Sequence, residues 1–432
     1  MLIEFSVSNF RSIKEEQTLS MIAESSTRKN DNTFVPIEGN KLRLLNSVAI
    51  YGANASGKSN ILKALNRLIF YIHDLNIDVD DDIPYYEPFE LDKLCSSQPS
   101  IFKLSFIIEG IMYEYQIAFD SREVHEEQLD YYPRKENKNK KLFIRKNNLF
   151  IRKNNDVKRG ASFEDKRLFS SKALTKYPYL SKLAREEHEQ MQKIYKYLKN
   201  YVFFAANDPD MRSSLVRPHV NHLLQEDRKL KKDLDKLIRI ADTHIEKVNF
   251  EENVDLAFDD GVPEVIKNFI ISHNKYEVLA VHKTFRDGSL EGEANFPFFQ
   301  KESMGTITLY DIGALILLIL NRGHILVIDE IDNSLHPKLC KFLIKLFHHP
   351  LSNRRNAQLI FASHETTLLD RELLRKDQIW FTEKNKYGET QLFSVQHFEK
   401  VKGDEPFDLW YMQGKFGGQP NIKEVEFIFG DE

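Results

Sequence analysis

Cysteine is nearly absent: Cys95 and Cys340 are the only two in 432 residues, and they stand far apart. A disulfide framework is therefore excluded, and a reducing, cytoplasmic setting is expected. Strong charge of one sign is also missing. Sixty-five acids face 61 bases, leaving a net charge of −4 and a pI near 6.4. No global attraction to nucleic acid follows, so any such contact must come from a local patch. Long apolar runs are missing too. The most apolar stretch, IGALILLIL at 312–320, falls well short of the roughly 20 residues that cross a bilayer. A buried core helix is expected there, with no membrane contact. The opening MLIEFSVSNFRSIKEE carries acids early and lacks the apolar run and cleavage site of a signal peptide. Neither a Cys- or His-rich metal site nor the acid clusters of an appended metal-dependent nuclease are evident.

What is present suits a large core: 41% hydrophobic residues, including 31 Phe. The length suits two or three domains, or one domain with a large insertion. LIEFSVSNF alternates as a strand with Ile3, Phe5 and Val7 on one face, and QTLSMIA reads as its partner. SVAIY reads as a buried strand. KSNILKALNRLIFYIHDL then places Ile61, Leu65, Leu68 and Ile72 at helical spacing. The acidic IDVDDDIPYYEPFELD reads as a solvated loop, and FKLSFIIEGIMYEYQIAFD as a hairpin turning at Glu109-Gly110.

Residues 134–159 are basic, with 11 Arg and Lys against Glu136 and Asp156. They hold a tandem copy, LFIRKNN at 142–148 and 149–155, expected as two strands joined at Asn147-Asn148. This segment is either a solvated rim or a contact for nucleic acid or an acidic partner. Residues 181–247 read as mainly helical. Met191, Ile194, Tyr195 and Leu198 form one stripe, and Leu230, Leu234, Leu237, Ala241 and Ile245 another. Their length allows a lid or compact subdomain, not a long coiled-coil arm. From 305 onward helices and strands alternate: helix 307–320, strand ILVID, helix 337–347, strand AQLIFAS and a final hairpin, QIWFTEKNKYGETQLFSV.

Chemistry concentrates in four places. GANASGKS (Gly52, Ala53, Asn54, Ala55, Ser56, Gly57, Lys58, Ser59), followed by Asn60, sits between strand and helix as a Walker A loop. Its glycines let backbone N–H groups wrap a phosphate chain, and the next helix aims its N-terminus at the same anion. Lys58 suits the β- and γ-phosphates, and Ser59 a Mg²⁺ ion. ILVIDEIDNSLHP delivers Asp329 and Glu330 at the carboxyl end of an apolar strand. Asp329 suits Mg²⁺, and Glu330 suits a general base on water. ESMGT places Ser303, Gly305 and Thr306 before a helix, a second phosphate-binding device. LIFASHE ends a strand at Ser363 with His364 beyond it, placed to sense or stabilise a γ-phosphate.

This order of motifs resembles the ABC-type ATPase heads of the SMC and recombination-repair group, including NFRSI, Asn54 and DNSLHP. More narrowly, the chain resembles the prokaryotic AAA-type ATPases of abortive-infection and related phage-defence systems. They share NFRSI, the ESxGT signature and a closing motif, here LWYMQGKFGGQPNI at 409–422. Ala55 stands where many relatives carry Gly, and Met304 where Asp is common. The resemblance implies an α/β P-loop NTPase with an ABC/SMC-type head: a mixed sheet, an N-terminal antiparallel β part and an inserted, mostly helical subdomain. The expected segments are 1–130 (N-terminal lobe with Walker A), 131–160 (basic β-hairpin), 161–250 (helical insertion or lid) and 251–432 (C-terminal lobe). It further implies ATP and Mg²⁺ as ligands and Arg11 as a phosphate contact. It also implies a dimer or higher oligomer of the chain with itself, in which Ser303, Gly305 and Thr306 of one copy close the Walker A site of another. The implied function is a nucleotide-gated switch controlling a separate effector, such as a nuclease; the alternative is a DNA-binding repair ATPase. No residue in 83–95 supplies the Mg²⁺-binding glutamine of such heads.

Overall fold

The computed structural model describes all residues except 75, 79, 134–139, 147–157, 160–174, 186–187, 206–215, 242–243, 253–275, 399–400, 402–404 and 420–432. The chain divides into two compact units. One joins Met1–Phe203 to Gln358–Glu432; the other is Phe204–Ala357.

The first unit contains an antiparallel sheet of seven strands: β1 (Leu2–Ser8), β2 (Gln17–Ser20), β6 (Ser100–Ile108), β7 (Ile111–Phe119), β8 (Val124–Tyr132), β9 (Lys140–Lys146) and β10 (Lys158–Arg159). Their order is β10-β9-β8-β7-β6-β1-β2. β1 and β2 pair as the alternation implies, and Ile3, Phe5 and Val7 are buried. Glu109 and Gly110 turn the β6–β7 hairpin with φ of 50° and 75°, the left-handed pair that a two-residue hairpin turn requires. The first LFIRKNN copy begins in β9, whose Ile144 and Phe143 pair with Lys158 and Arg159; the expected Asn147-Asn148 turn and the second copy lie outside the described residues. A short ribbon joins β3 (Thr33–Phe34) to β4 (Leu44–Leu45).

The same unit holds β5 (Ser47–Gly52), buried along its length, between β16 (Gln358–Ala362) and β17 (Ile379–Lys384). Both neighbours run parallel to β5, and β18 (Thr390–Ser394) closes a hairpin on β17. A strand buried on both faces reads as a continuous apolar run, as SVAIY does. Buried amides stitch this layer to its surroundings. Gln358 accepts from Leu2 N at 2.7 Å and donates to Leu2 O at 2.9 Å, and Gln378 donates to Ser47 O at 2.9 Å.

Helix α1 (Lys58–His73) buries Ile61, Leu65, Leu68 and Ile72, each contributing about 1.5–3 kcal/mol. Two further helices, α2 (Tyr179–Arg185) and α3 (Glu189–Tyr201), belong to this unit, as does α9 (Phe407–Met412). In α3 it is Tyr197, not Tyr195, that completes the buried stripe: its ring stacks on Phe106 at 5.7 Å. The acidic stretch around 80–92 is not wholly solvated, because Ile83 and Phe89 are buried. A short strand, β11 (Val202–Ala205), lies at the boundary of the units.

The second unit contains α4 (Arg217–Glu226), α5 (Arg228–Ile240), a three-stranded sheet, α7 (Met304–Arg322), β15 (Ile325–Ile328) and α8 (Pro337–His348). The sheet consists of β12 (Ile245–Glu252), β13 (Tyr276–Arg286) and β14 (Ser289–Pro297), with one-turn helix α6 (Phe298–Lys301) leading into α7. The expected second helical stripe stops early. Leu230, Leu234 and Leu237 are buried in α5, but Ile245 begins a strand paired to His282. The cross-strand ladder overrides the helical period there.

Helix α7 is apolar around most of its circumference and buries 12 residues, the pattern of a core helix. Among the described residues it is the one helix long and apolar enough to cross a membrane, and two thirds of that window is buried. Ser303 caps its start by accepting from Thr306 N at 3.2 Å, and Gly323 (φ 72°) ends it. At Gly313 a Cβ would come within 2.6 Å of Leu237 Cδ2, so α5 and α7 pack closely there and a side chain would need the Leu237 methyl to move.

Candidate nucleotide site

The first unit places the Walker A loop at the carboxyl end of β5. The parallel register sets Ala362 of β16 against Ile50, and Thr382 of β17 against Gly52. Three parallel strands therefore end at one edge, where ligands bind in open α/β sheets. Ser363 N donates to Ile50 O at 3.1 Å. His364 follows on that edge, with its side chain exposed.

The loop is held rigidly from beneath. Ser56 Oγ and Thr382 Oγ1 lie 2.6 Å apart, and Thr390 Oγ1 donates to Ser56 O at 2.9 Å. Thr390 Oγ1 also lies 2.7 Å from Ser12 Oγ, to which Asn60 Nδ2 donates at 2.7 Å. Gly52 and Gly57 adopt φ of 151° and 113°. A Cβ on Gly57 would sit 2.1 Å from Thr390 Oγ1, and one on Gly52 would sit 2.4 Å from Thr382 O. Both positions are closed to any side chain. Ala55 is left-handed (φ 61°) and exposed beside exposed Asn54, a conformation costing an L-residue about 1–2 kcal/mol. Lys58 is buried, and its Nζ donates to Gly52 O at 2.7 Å and Ala53 O at 3.0 Å. The α1 N-terminus starts at Gly57 with no side-chain cap, and Ser59 is half-buried in its first turn. Such a turn presents free N–H groups and a positive dipole end to an anion.

Arg11 (φ 50°) is paired: it meets Glu87 at 2.6 Å, and Glu87 also meets Arg67 at 2.9 Å. The closing motif packs beneath the loop. Tyr411 OH donates to Gly418 O at 3.1 Å, and Phe381 stacks on Tyr411 and Phe416 at 5.0 and 5.3 Å. A Cβ on Gly418 would lie 3.7 Å from Gly52 Cα; residues 420–422 lie outside the described residues.

In the second unit, β15 delivers Asp329 and Glu330 at its carboxyl end. Asp329 Oδ1 is buried with no hydrogen-bond partner, a state that costs about 1–3 kcal/mol unless something satisfies it. A carboxylate oxygen kept dry and unpaired is the donor a hard cation such as Mg²⁺ takes. Glu330 is left-handed (φ 52°) and half-buried. Strain of this kind at a non-glycine residue clusters at functional sites. The ESMGT segment belongs to the same unit. Ser303 and Met304 are exposed, Gly305 and Thr306 half-buried. A Cβ on Gly305 would lie 2.9 Å from Ser334 O, in the turn after the acids, where Ser334 is itself left-handed (φ 64°). The signature turn and the DNSLHP turn therefore share a backbone contact that only glycine permits. Glu302 anchors the segment through His282 at 2.9 Å.

Sequence reasoning missed Thr382, Thr390 and Ser12, which hold the phosphate loop. Thr382 and Thr390 carry no local signal, because their roles arise from strand pairing, whereas Ser12 lies within the NFRSI motif. One described cation of the basic segment is internal: Arg145 is buried, lies 3.8 Å from the buried Glu127 and donates to Tyr177 O at 2.9 Å.

The fold and loop define a P-loop nucleoside-triphosphate-binding protein. Residues 47–370, three quarters of the chain, match the family described as "AAA domain, putative AbiEii toxin, Type IV TA system". The chain belongs to this family of AAA-type ATPases, which is associated with abortive infection and toxin–antitoxin systems. A search of curated proteins found no match.

Proposed function

We propose that this chain is an ATP-hydrolysing head of the ABC/SMC type. It acts as a nucleotide-gated switch in antiphage defence and controls a separate effector protein. The observation that carries the reading is the pairing of an orphaned Asp329 Oδ1 with a left-handed Glu330 at one strand end, in a chain that also has a preformed phosphate loop. Magnesium, when bound, neutralises charge shared by the β- and γ-phosphates.

The chain's own groups supply the rest. The loop amides and Lys58 hold the phosphates, with Lys58 exchanging its loop carbonyls for phosphate oxygens. Ser59 and Asp329 would each serve as metal-side ligands. Glu330 accepts the proton of the attacking water, and His364 donates to the γ-phosphate. Arg11 reaches the phosphates only by giving up Glu87.

Ser303, Gly305 and Thr306 serve the opposite copy: the α7 N-terminus brings its dipole and the Ser303 hydroxyl to a phosphate held by the partner's loop. The exposure of Ser303 and Met304 supports this, because a cis role would favour a covered turn. Nucleotide bound only between copies stabilises the assembly, and its cleavage releases it. The family's toxin–antitoxin association supports a protein partner as effector.

The test is Glu330→Gln. Retained ATP and a nucleotide-dependent rise in mass support the reading. An unchanged mass with and without Mg·ATP, together with normal turnover, would sink it.

A further inference from the structure

The second unit carries a groove of about 910 Å³ between α5, α7 and α8 that the nucleotide chemistry does not use. Its floor is apolar. Leu317, Phe342 and Leu346 are half-buried along it, while Ile240 and Leu351 at its edges are 56% and 70% exposed. Single exposed apolar residues are ordinary, but a contiguous set in one concavity marks a contact site. The rim has the opposite character. Lys229, Lys236, Lys345, Arg354 and Arg355 surround the groove, against one acid, Asp233. Among the described residues, none of these five cations has a carboxylate partner.

We infer that this groove docks an acidic amphipathic helix of a partner protein. An apolar trough framed by three helices accepts the i, i+3, i+4, i+7 ridge of another helix. Unpaired cations on both sides then select Asp and Glu flanking that ridge, fixing orientation and rejecting basic helices. Nucleic acid fits less well, because single-strand stacking needs a series of exposed aromatic faces and the lining offers the half-buried Phe342 and the exposed His349 ring alone. The site needs a protein partner, as the proposed switch does, but not nucleotide hydrolysis.

The test pans a random library of peptides about 16 residues long, enough for a helix of roughly 24 Å, against the full chain. The enriched peptides should carry apolar residues at helical spacing flanked by Asp and Glu. A synthetic representative should lose about tenfold or more in affinity to Ile240→Glu/Leu351→Glu, and similarly to Lys236→Glu/Arg354→Glu. All four positions are exposed, so both proteins should keep the wild-type melting temperature. Lys58→Ala should bind the peptide as wild type does, which separates this site from the nucleotide reading. Neutral or basic enriched peptides, or binding indifferent to both double variants, would overturn the inference. So would a short DNA duplex that binds the wild type and loses binding only with the charge-reversed rim, or an oligomer that Ile240→Glu/Leu351→Glu dissolves.

Discussion

Adding one methyl group at Gly57 should disable the phosphate loop through a steric chain that ends 333 residues away. The Cβ of Gly57→Ala would lie 2.1 Å from Thr390 Oγ1 and 2.6 Å from Thr390 Cγ2. Thr390 cannot yield cheaply. It is 1% exposed, its hydroxyl donates to Ser56 O, and its backbone N donates to Ser12 O at 2.7 Å. Overpacking of this kind costs about 1–3 kcal/mol, the φ of 113° adds about 1–3 kcal/mol for alanine, and a displaced hydroxyl forfeits about 1 kcal/mol. A loss of about 3–7 kcal/mol is expected, read as a lower melting temperature, with binding of a fluorescent ATP analogue weakened at least about tenfold. Thr390→Ala removes both close atoms, leaving Cβ at 2.9 Å. The double variant should therefore be less damaged than the sum of the singles by about 1–2 kcal/mol. If Gly57→Ala melts and binds nucleotide as wild type, or if the two changes add without coupling, the packing argument is wrong.

Two further perturbations probe the second unit. Arg217 meets the 2%-exposed Asp311 at 2.9 Å and lies 3.8 Å above the Phe299 ring. Arg217→Met strands that carboxylate and should cost about 3–5 kcal/mol, while Arg217→Met/Asp311→Leu should recover most of it in thermal melts. Burial, helped by the Arg322 charge, holds the His324 imidazole down at about 4 from an ordinary 6.5. The fold keeps it neutral, so its contribution is intact above pH 6.5 and is lost as pH falls toward 4, by roughly 2 kcal/mol at pH 5. His324→Asn should show a shallower drop in melting temperature between pH 7.5 and 5 than wild type; an equal drop would refute the assignment.

The parts of the site legible in the sequence are those built from neighbours along the chain. Gly52 to Ser59 announce a phosphate loop because strand, glycines and helix are contiguous, and Asp329-Glu330 stand out at the end of an apolar run. The rest depends on pairings between distant segments. Nothing in TEKNKYGET shows that Thr382 and Thr390 will brace Ser56; that follows only from β17 lying parallel to β5. Ile245 fits a helical stripe by spacing, yet the ladder with β13 claims it for a strand. Gly305 reads as part of a signature, but the reason for glycine is the carbonyl of Ser334, nearly 30 residues on. Arg145 counts as basic surface in the sequence and is an internal cation in the fold, because Glu127 on the paired strand faces it.

The central claim is that each copy's phosphate loop is completed by the other's Ser303 segment. The most direct measurement mixes two disabled proteins, Lys58→Ala and Ser303→Arg, and follows phosphate release. Each alone should be inactive. Random pairing at equal concentrations should restore about a quarter of wild-type turnover, since half the dimers are mixed and each has one intact site of two. Full turnover by Ser303→Arg alone, or no recovery on mixing, would contradict it.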